Sequence, residues 1–401
     1  MNTSLLAAIE MAPKDPILGV TETFNADPNP DKVNLGVGVY CDDTGKVPVL
    51  ESVRRAEQKL AESALPRNYL PIDGLQAYDG AVQRLVFGPE SAVLAQGRVV
   101  TVQTLGGTGG LKVGADLLRR IAPHAGIWIS DPSWENHRAL FEYAGFTVNV
   151  YPYYDASTRA IDFNRMIRAL QQLPGGSIAV MHACCHNPTG VDLSAEQWEH
   201  VIAAVEARGL VPFLDLAYQG FADGLDADAA AVRRFAAACP VVFVSSSFSK
   251  SLSLYGERVG ALSVVTESAD EAARILSHLK RVIRTNYSNP PTHGGHTAAL
   301  VLTTPELRAL WEQELGQMRD RIKTMRRQLV EKIRAIHSDF DFSFIMRQQG
   351  MFSYSGLSQD QVRRLREEHS VYAIDSGRVC VAALNSRNID YVARAISAVL
   401  D

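Results

Sequence analysis

Between residues 99 and 265 the chain alternates short apolar runs with stretches of helical spacing, and few folds accommodate that order. Val99–Leu105, Ile127–Ser130, Phe146–Tyr151, Ser177–Met181, Leu210–Leu214 and Val241–Val244 are rich in Val, Ile and Phe. Short continuous apolar runs of this kind read as strands of a covered sheet. Between them, Leu111–Ile121, Asn136–Tyr143, Phe163–Leu173 and a helix opened by Ser194 repeat apolar residues three and four apart, which gives each helix one apolar face. Strand, helix, strand in succession predicts a doubly wound α/β domain. In such sheets ligands sit beyond the carboxyl ends of the strands. The residues that follow each apolar run are therefore the candidates for chemistry.

Val99–Leu105 runs into Gly106-Gly107-Thr108-Gly109-Gly110, read as a glycine loop before a helix at Leu111. Free backbone N–H groups and the helix dipole suit an anion there. The loop lacks the lysine of a nucleotide P-loop and the spacing of a dinucleotide fingerprint. Ile127–Ser130 leads to Trp134, and Leu210–Leu214 delivers Asp215 and then Tyr218. A carboxylate at the end of an apolar strand needs a cation or a donor. Ser177–Met181 leads to His182, His186 and Asn187-Pro188. Two histidines spaced i, i+4 would share a helix face, but the proline disfavours a helix at that point, so hydrogen bonding is expected and a metal is not. Val241–Val244 runs out into Ser245-Ser246-Ser247, then Lys250, then Arg258. Hydroxyls, an amine and a guanidinium together form a cradle for a phosphate with an amine beside it.

The flanks read differently. Turn signals crowd the first 50 residues at Ala12-Pro13, Asp15-Pro16 and Asp27-Pro28-Asn29-Pro30. In Val33–Tyr40 apolar residues alternate with Gly36 and Gly38, which permits close backbone approach. Ser52–Ser63 reads as a helix, and Tyr69 lies in the loop Asn68–Gly74. A long helix starts at Thr304 with Pro305 in its first turn and keeps helical spacing to about His337. After it come strands at 341–345 and 351–354, a helix capped by Ser358 with Gln361, strands at 371–374 and 379–383, and a helix over 388–400. That pattern predicts a small α+β domain. The expected division is 1–45 as an N-terminal arm and part of the small domain, 46–315 as the large domain, and 316–401 as the small C-terminal domain.

Composition excludes several classes. The 401 residues carry a net charge of −4, which leaves no electrostatic footprint for nucleic acid. No run of about 18 apolar residues is present, so no membrane span is expected. The N-terminus lacks a basic region followed by an apolar stretch, as a secretory leader would have. The five cysteines lack metal-ligand spacing and fit reduced thiols in a cytoplasmic protein, with Cys184-Cys185 packed near a strand end.

Taken together, the segments LGVGVY, NYLPIDG, LGGTGG, DPSWENH, CCHNPTG, DLAYQGF, SFSKSLSLYGERVG, IRTNYSNPP, GMFSYSGL and SGRVCVA resemble the class I aminotransferases of the aspartate/aromatic family, in order and over nearly the whole chain. These are fold-type I enzymes dependent on pyridoxal 5′-phosphate. The resemblance implies a large doubly wound domain with a mixed sheet plus a small α+β domain. It implies that Lys250 joins the cofactor aldehyde and later moves a proton at the substrate Cα. Asp215 would pair with the ring nitrogen, Tyr218 and Asn187 with the phenolic oxygen, and Trp134 would stack on the ring. Gly107, Thr108, Ser247 and Arg258 would hold the phosphate, with Tyr69 reaching it from a neighbouring subunit. Arg378 would clamp the substrate α-carboxylate as a planar fork, and Gly38 would close over the substrate. Arg284, from the partner chain, would bind the distal carboxylate of a dicarboxylic substrate. A homodimer with shared sites follows.

The substrate stays divided between two branches. LGGTGGLKVGAD, SDPSWENH, SFSKSLSLYGERVG and SGRVCVA look like the bacterial aromatic branch, whereas Thr108, Asn68 and Asn289 look like the aspartate branch. Neutral Cys41 and apolar Val47 favour uncharged side chains. The expectation is transamination of phenylalanine, tyrosine and tryptophan with 2-oxoglutarate, with activity on aspartate; the alternative is an aspartate aminotransferase with minor aromatic activity. A β-lyase or decarboxylase shares the fold, and Arg284 argues against both. A regulator built on this fold would need a DNA-binding module, for which the matched segments leave no room.

Overall fold

The computed structural model describes residues 4–12 and 18–400. The turn signals at Pro13 and Asp15-Pro16 lie outside them. Seven strands form the central sheet: β1 (Val99–Leu105), β2 (Ile127–Asp131), β3 (Val148–Pro152), β4 (Ile178–His182), β5 (Val211–Leu216), β6 (Val242–Ser247) and β7 (Val259–Val265). Their spatial order is β1-β7-β6-β5-β4-β2-β3. All neighbours run parallel except β7, which is antiparallel to both β1 and β6. The sheet is therefore mixed.

Alternation along the strands builds two cores, because successive side chains point to opposite faces. Phe213 and Phe243 join Val180, Leu262 and the helix Gly106–Ile121 on one face. Leu214, Leu216, Val242 and Val244 join Met181, Val201 and Trp311 on the other. The long helix Pro305–Ile336 buries Leu307, Trp311, Leu315, Met318, Ile322, Met325, Leu329 and Ile333 along one stripe, with proline at its first turn as expected. Capping boxes are present at Ser194 with Gln197 and at Ser358 with Gln361, and Gly209 closes its helix in the left-handed conformation. A cap of this type stabilises a helix by about 1 kcal/mol.

Several local expectations need correction. The glycine segment is not a loop: helix begins at Gly106 and takes in all of Gly106–Gly110. Ser245–Ser247 belong to β6 rather than to a loop after it. Their side chains are small enough for that helix to pack close to the sheet, and Ser245 Oγ donates to the Gly107 carbonyl at 2.8 Å. Residues 341–345 form no strand; Ser343–Arg347 is a short 3₁₀ helix. Asp341 Oδ1 accepts the Ser343 N–H at 2.9 Å and turns the chain there, and Arg159 stacks over Phe340 and Phe344. The expected strand 379–383 is Arg378–Cys380 followed by a 3₁₀ turn, and 371–374 pairs only over Val371–Tyr372. In Val33–Tyr40 only Val33–Asn34 pairs, parallel to Val371–Tyr372. The helices Gln76–Phe87, Ala269–Asn286 and His293–Thr303 and the strand β7 were not anticipated. No helix among the described residues is long and apolar enough to cross a membrane.

Candidate active site

A cavity of about 210 Å³ opens beyond the carboxyl ends of β1, β2, β4, β5 and β6. Strand polarity explains what meets there. The parallel strands deliver their last residues to this edge, and antiparallel β7 brings its amino end, with Gly260 opposite Ser247. Arg258, just before β7, is thereby placed beside residues that follow β1 and β6. Gly38, Gly107, Thr108, Trp134, Asn187, Asp215, Tyr218, Ser247, Lys250, Arg258 and Arg378 all line this cavity, so the fold brings together residues up to 340 positions apart in sequence. Tyr69 and Arg284 do not line it. Tyr69 is 92% exposed, and Arg284 is exposed with its guanidinium donating to Ser288 Oγ.

One side of the cavity suits an oxyanion. Gly107 and Thr108 lie in the first turn of Gly106–Ile121, where backbone N–H groups lack helical partners. Ser247, Ser249 and Arg258 stand beside them, with Arg258 Nη1 held by the Tyr255 carbonyl at 3.0 Å. Gly106 adopts φ +66°, and a Cβ there would lie 2.6 Å from Arg258 Nη2. Glycine is thus required for the turn into the helix and for the close approach of the guanidinium.

At the floor, the register of β4, β5 and β6 places His182 opposite Asp215 and Asp215 opposite Ser245. Asp215 is 5% exposed and its Oδ2 lies 3.1 Å from His137 Nε2. Ser133 Oγ holds the other ring nitrogen of His137 at 2.9 Å. Burial by itself would raise the Asp215 carboxyl, but the hydrogen bond from His137 and the nearby basic groups, Lys250 among them, outweigh it, and its pKa lies below the ordinary value. Asp215 thus faces the cavity as an anion near neutral pH. His182 is held far below the usual histidine range, first by burial and then by its histidine neighbours, so it is neutral. Neither of its ring nitrogens has a partner among the described residues.

Lys250 stands with its Nζ 5.0 Å from the centre of the Tyr218 ring. Burial lowers its pKa to about 8; Asp215 works against the shift, and the charges of Arg258 and Arg378 add to it. An amine so tuned is neutral for a sizeable fraction of the time near neutral pH, which a nucleophile or base requires. Burial raises the Tyr218 phenol well above its usual range.

At the mouth, Arg378 is 1% exposed. Its Nη1 donates to Asn187 Oδ1 at 3.1 Å, its Nη2 to the Gly36 carbonyl at 2.7 Å, and its guanidinium lies 4.3 Å from the Phe352 ring centre. Its Nε is buried without a partner among the described residues. Gly38 abuts the same ring; a Cβ there would lie 2.8 Å from Phe352.

Sequence reasoning did not pick out His137, Tyr255 or Phe352. His137 carried a usable signal, since it lies in the first turn of the helix that follows a strand end. Phe352 and Tyr255 carried none, because an aromatic side chain is most often a packing residue.

The site suits a phosphorylated aromatic aldehyde with a basic ring nitrogen. Oxyanion donors, a buried carboxylate and a depressed amine share one cavity, and unpartnered donors remain on its wall. The chain matches the family model for aminotransferase class I and II over residues 30–396. This chain belongs to that family. The aminotransferase is 60% identical over 397 residues to an aspartate aminotransferase of Pseudomonas aeruginosa, covering 99% of this chain and all of that one. It is 50% identical to an aromatic-amino-acid aminotransferase of Escherichia coli, over 96% of this chain and 98% of the relative. Among solved structures, an aromatic-amino-acid aminotransferase from Burkholderia pseudomallei, covalently bound to pyridoxal phosphate, superposes with a TM-score of 0.97 at 64% identity, covering both chains fully. The mixed sheet of this aminotransferase is that of a fold-type I enzyme.

Proposed function

We propose that this aminotransferase moves amino groups between aromatic amino acids, namely phenylalanine, tyrosine and tryptophan, and 2-oxoglutarate, and that it also accepts aspartate. The observation that carries the amino-acid part of this reading is Arg378: a buried guanidinium at the cavity mouth with no carboxylate in salt-bridge reach among the described residues. An uncompensated buried cation is costly, and a substrate α-carboxylate is the missing partner. The cofactor is pyridoxal 5′-phosphate. When bound it supplies an aldehyde that takes up the amino group and a ring that accepts electrons from the substrate Cα.

The chain's own residues would do the rest. Gly107, Thr108, Ser247 and Arg258 would hold the phosphate, and Trp134 would lie against the ring. Asp215, fixed by His137, would keep the ring nitrogen protonated. Asn187 and Tyr218 would bond the phenolic oxygen, and Asn187 also steadies Arg378. Arg378 would orient the substrate so that its Cα–H faces Lys250, which takes that proton and returns it. Gly38 would help exclude water above the substrate.

Tyr69 and Arg284 would serve the site of a second copy, which makes the functional unit a homodimer. Their exposure and their absence from the cavity of their own chain support this. The five cysteines are free, as a cytoplasmic protein allows. Neutral Cys41 and apolar Val47 would favour uncharged side chains near the entrance, although neither lines the cavity itself. The Pseudomonas relative favours the alternative, an aspartate aminotransferase with minor aromatic activity. Single-substrate half-reactions followed by the cofactor spectrum rank phenylalanine, tyrosine, tryptophan, aspartate and leucine. Phenylalanine and tyrosine at or above aspartate support the first reading; aspartate far ahead of both selects the second.

A further inference from the structure

In the turn that follows β4, the chain places two adjacent thiols against a carboxylate. Adjacent side chains on extended backbone point apart, but Cys185 adopts φ +51°. That left-handed turn lets both sulfurs face one spot. One atom each from Cys184, Cys185 and Asp228 lie within 4.8 Å of one another, and all three residues are buried. We propose that these three residues form a binding site for one soft divalent metal ion, of the zinc or cadmium type, held by two thiolates and one carboxylate oxygen.

The donor set matches the ion class. Thiolate sulfur selects soft or borderline metals over calcium or magnesium. Metal–sulfur bonds of about 2.3 Å and metal–oxygen bonds of about 2.0–2.2 Å require the three atoms to draw in only modestly from their present spacing. The carboxylate is already oriented: Asp228 Oδ2 accepts the N–H groups of Gly220 at 2.7 Å and Ala222 at 3.0 Å, and Oδ1 that of Asp223 at 2.9 Å. Outer bonds of this kind fix a ligand's direction. Cys185 Sγ donates to the Tyr218 carbonyl at 3.9 Å, a weak bond that a metal would replace.

An entry path exists. Cys184, Asp192, Asp223 and Asp228 line a cavity of about 420 Å³, separate from the active-site cavity. Arg234 and Arg347 share its wall with the three carboxyl groups, and solvent entering the cavity would complete a fourth position. Asp192 itself is engaged, accepting the backbone N–H groups of Cys185 at 2.6 Å and His186 at 2.8 Å. The spacing of the cysteines in sequence gave no hint of this, because a vicinal pair is not a usual ligand motif.

Titration of the reduced holoenzyme with cadmium chloride tests the proposal through the ultraviolet thiolate-to-cadmium charge-transfer band. The expected result is saturation at one ion per chain, loss of the band in Cys184→Ser and in Cys185→Ser, and its retention in Cys239→Ser and Cys41→Ser. Calcium in excess should not displace the cadmium. No saturable band in the wild-type holoenzyme would overturn the site, and so would a band that survives both Cys184→Ser and Cys185→Ser. If a serine variant fails to fold, a wild-type titration without a saturable one-per-chain band still overturns the site.

Discussion

Arg378 Nη1 donates to Asn187 Oδ1 across 3.1 Å, and with the Gly36 carbonyl at 2.7 Å this buried guanidinium meets only neutral acceptors among the described residues. Asn187 aims the fork without neutralising it. Removing the fork while keeping the charge separates the two contributions. Arg378→Lys should lose charge-assisted hydrogen bonding worth about 1.5–3 kcal/mol, or roughly 10- to 200-fold in kcat/KM. Every amino acid has an α-carboxylate, so phenylalanine and aspartate should suffer equally in single-turnover assays. A loss confined to aspartate would assign Arg378 to the side chain instead.

Arg284 should behave in the opposite way. Arg284→Leu should cost aspartate and 2-oxoglutarate roughly 10- to 200-fold in kcat/KM. Phenylalanine should lose far less or gain, because an apolar wall replaces a displaced charge. The same single-turnover assay with both amino acids checks this. Equal losses would mean that Arg284 supports the fold or the cofactor.

Subunit mixing tests the shared site. Lys250→Ala and Arg284→Leu proteins, each poor on dicarboxylates, should recover activity when hybrids form, since one of the two hybrid sites then holds both native residues. Hybrids shown to form without recovery would place Lys250 and Arg284 in the same site of one chain.

The Lys250 amine has a pKa lowered from 10.5 to about 8, chiefly by burial. Above about pH 8 it is mostly neutral and nucleophilic; below, the neutral fraction falls about tenfold per pH unit. Capture of added pyridoxal phosphate by the apoprotein should therefore speed up as pH rises to about 8 and level off beyond it. A rate still climbing steeply between pH 9 and 10 would show an unperturbed lysine.

Lys250, Asp215 and Trp134 were legible because each follows an apolar run short enough to be only a strand, and sheet polarity then fixes the edge they share. The phosphate side was legible in its residues but not in its geometry. Helix begins at Gly106 rather than Leu111, because Gly106 alone takes the positive φ that Arg258 crowds. Arg378 would have read as a surface residue without the family resemblance; its burial depends on Gly36 and Asn187, each more than 190 positions away. Phe352 and the His137 bond to Asp215 are products of tertiary packing that no local pattern encodes. Residues 341–345 misled for the reverse reason. Their alternation resembles a strand, but an aspartate turn and an arginine stacked on two phenylalanines claim the segment.

The most direct test is a half-reaction with Lys250→Ala, followed by the cofactor spectrum against the wild type. The wild-type protein should convert its cofactor when given phenylalanine or aspartate in a single turnover. Lys250→Ala should still hold the cofactor through Arg258, Ser247 and the helix N-terminus, without a covalent link, and should lose conversion with both amino acids. Conversion by Lys250→Ala at the wild-type rate would contradict the assignment of Lys250 and, with it, the active site described above.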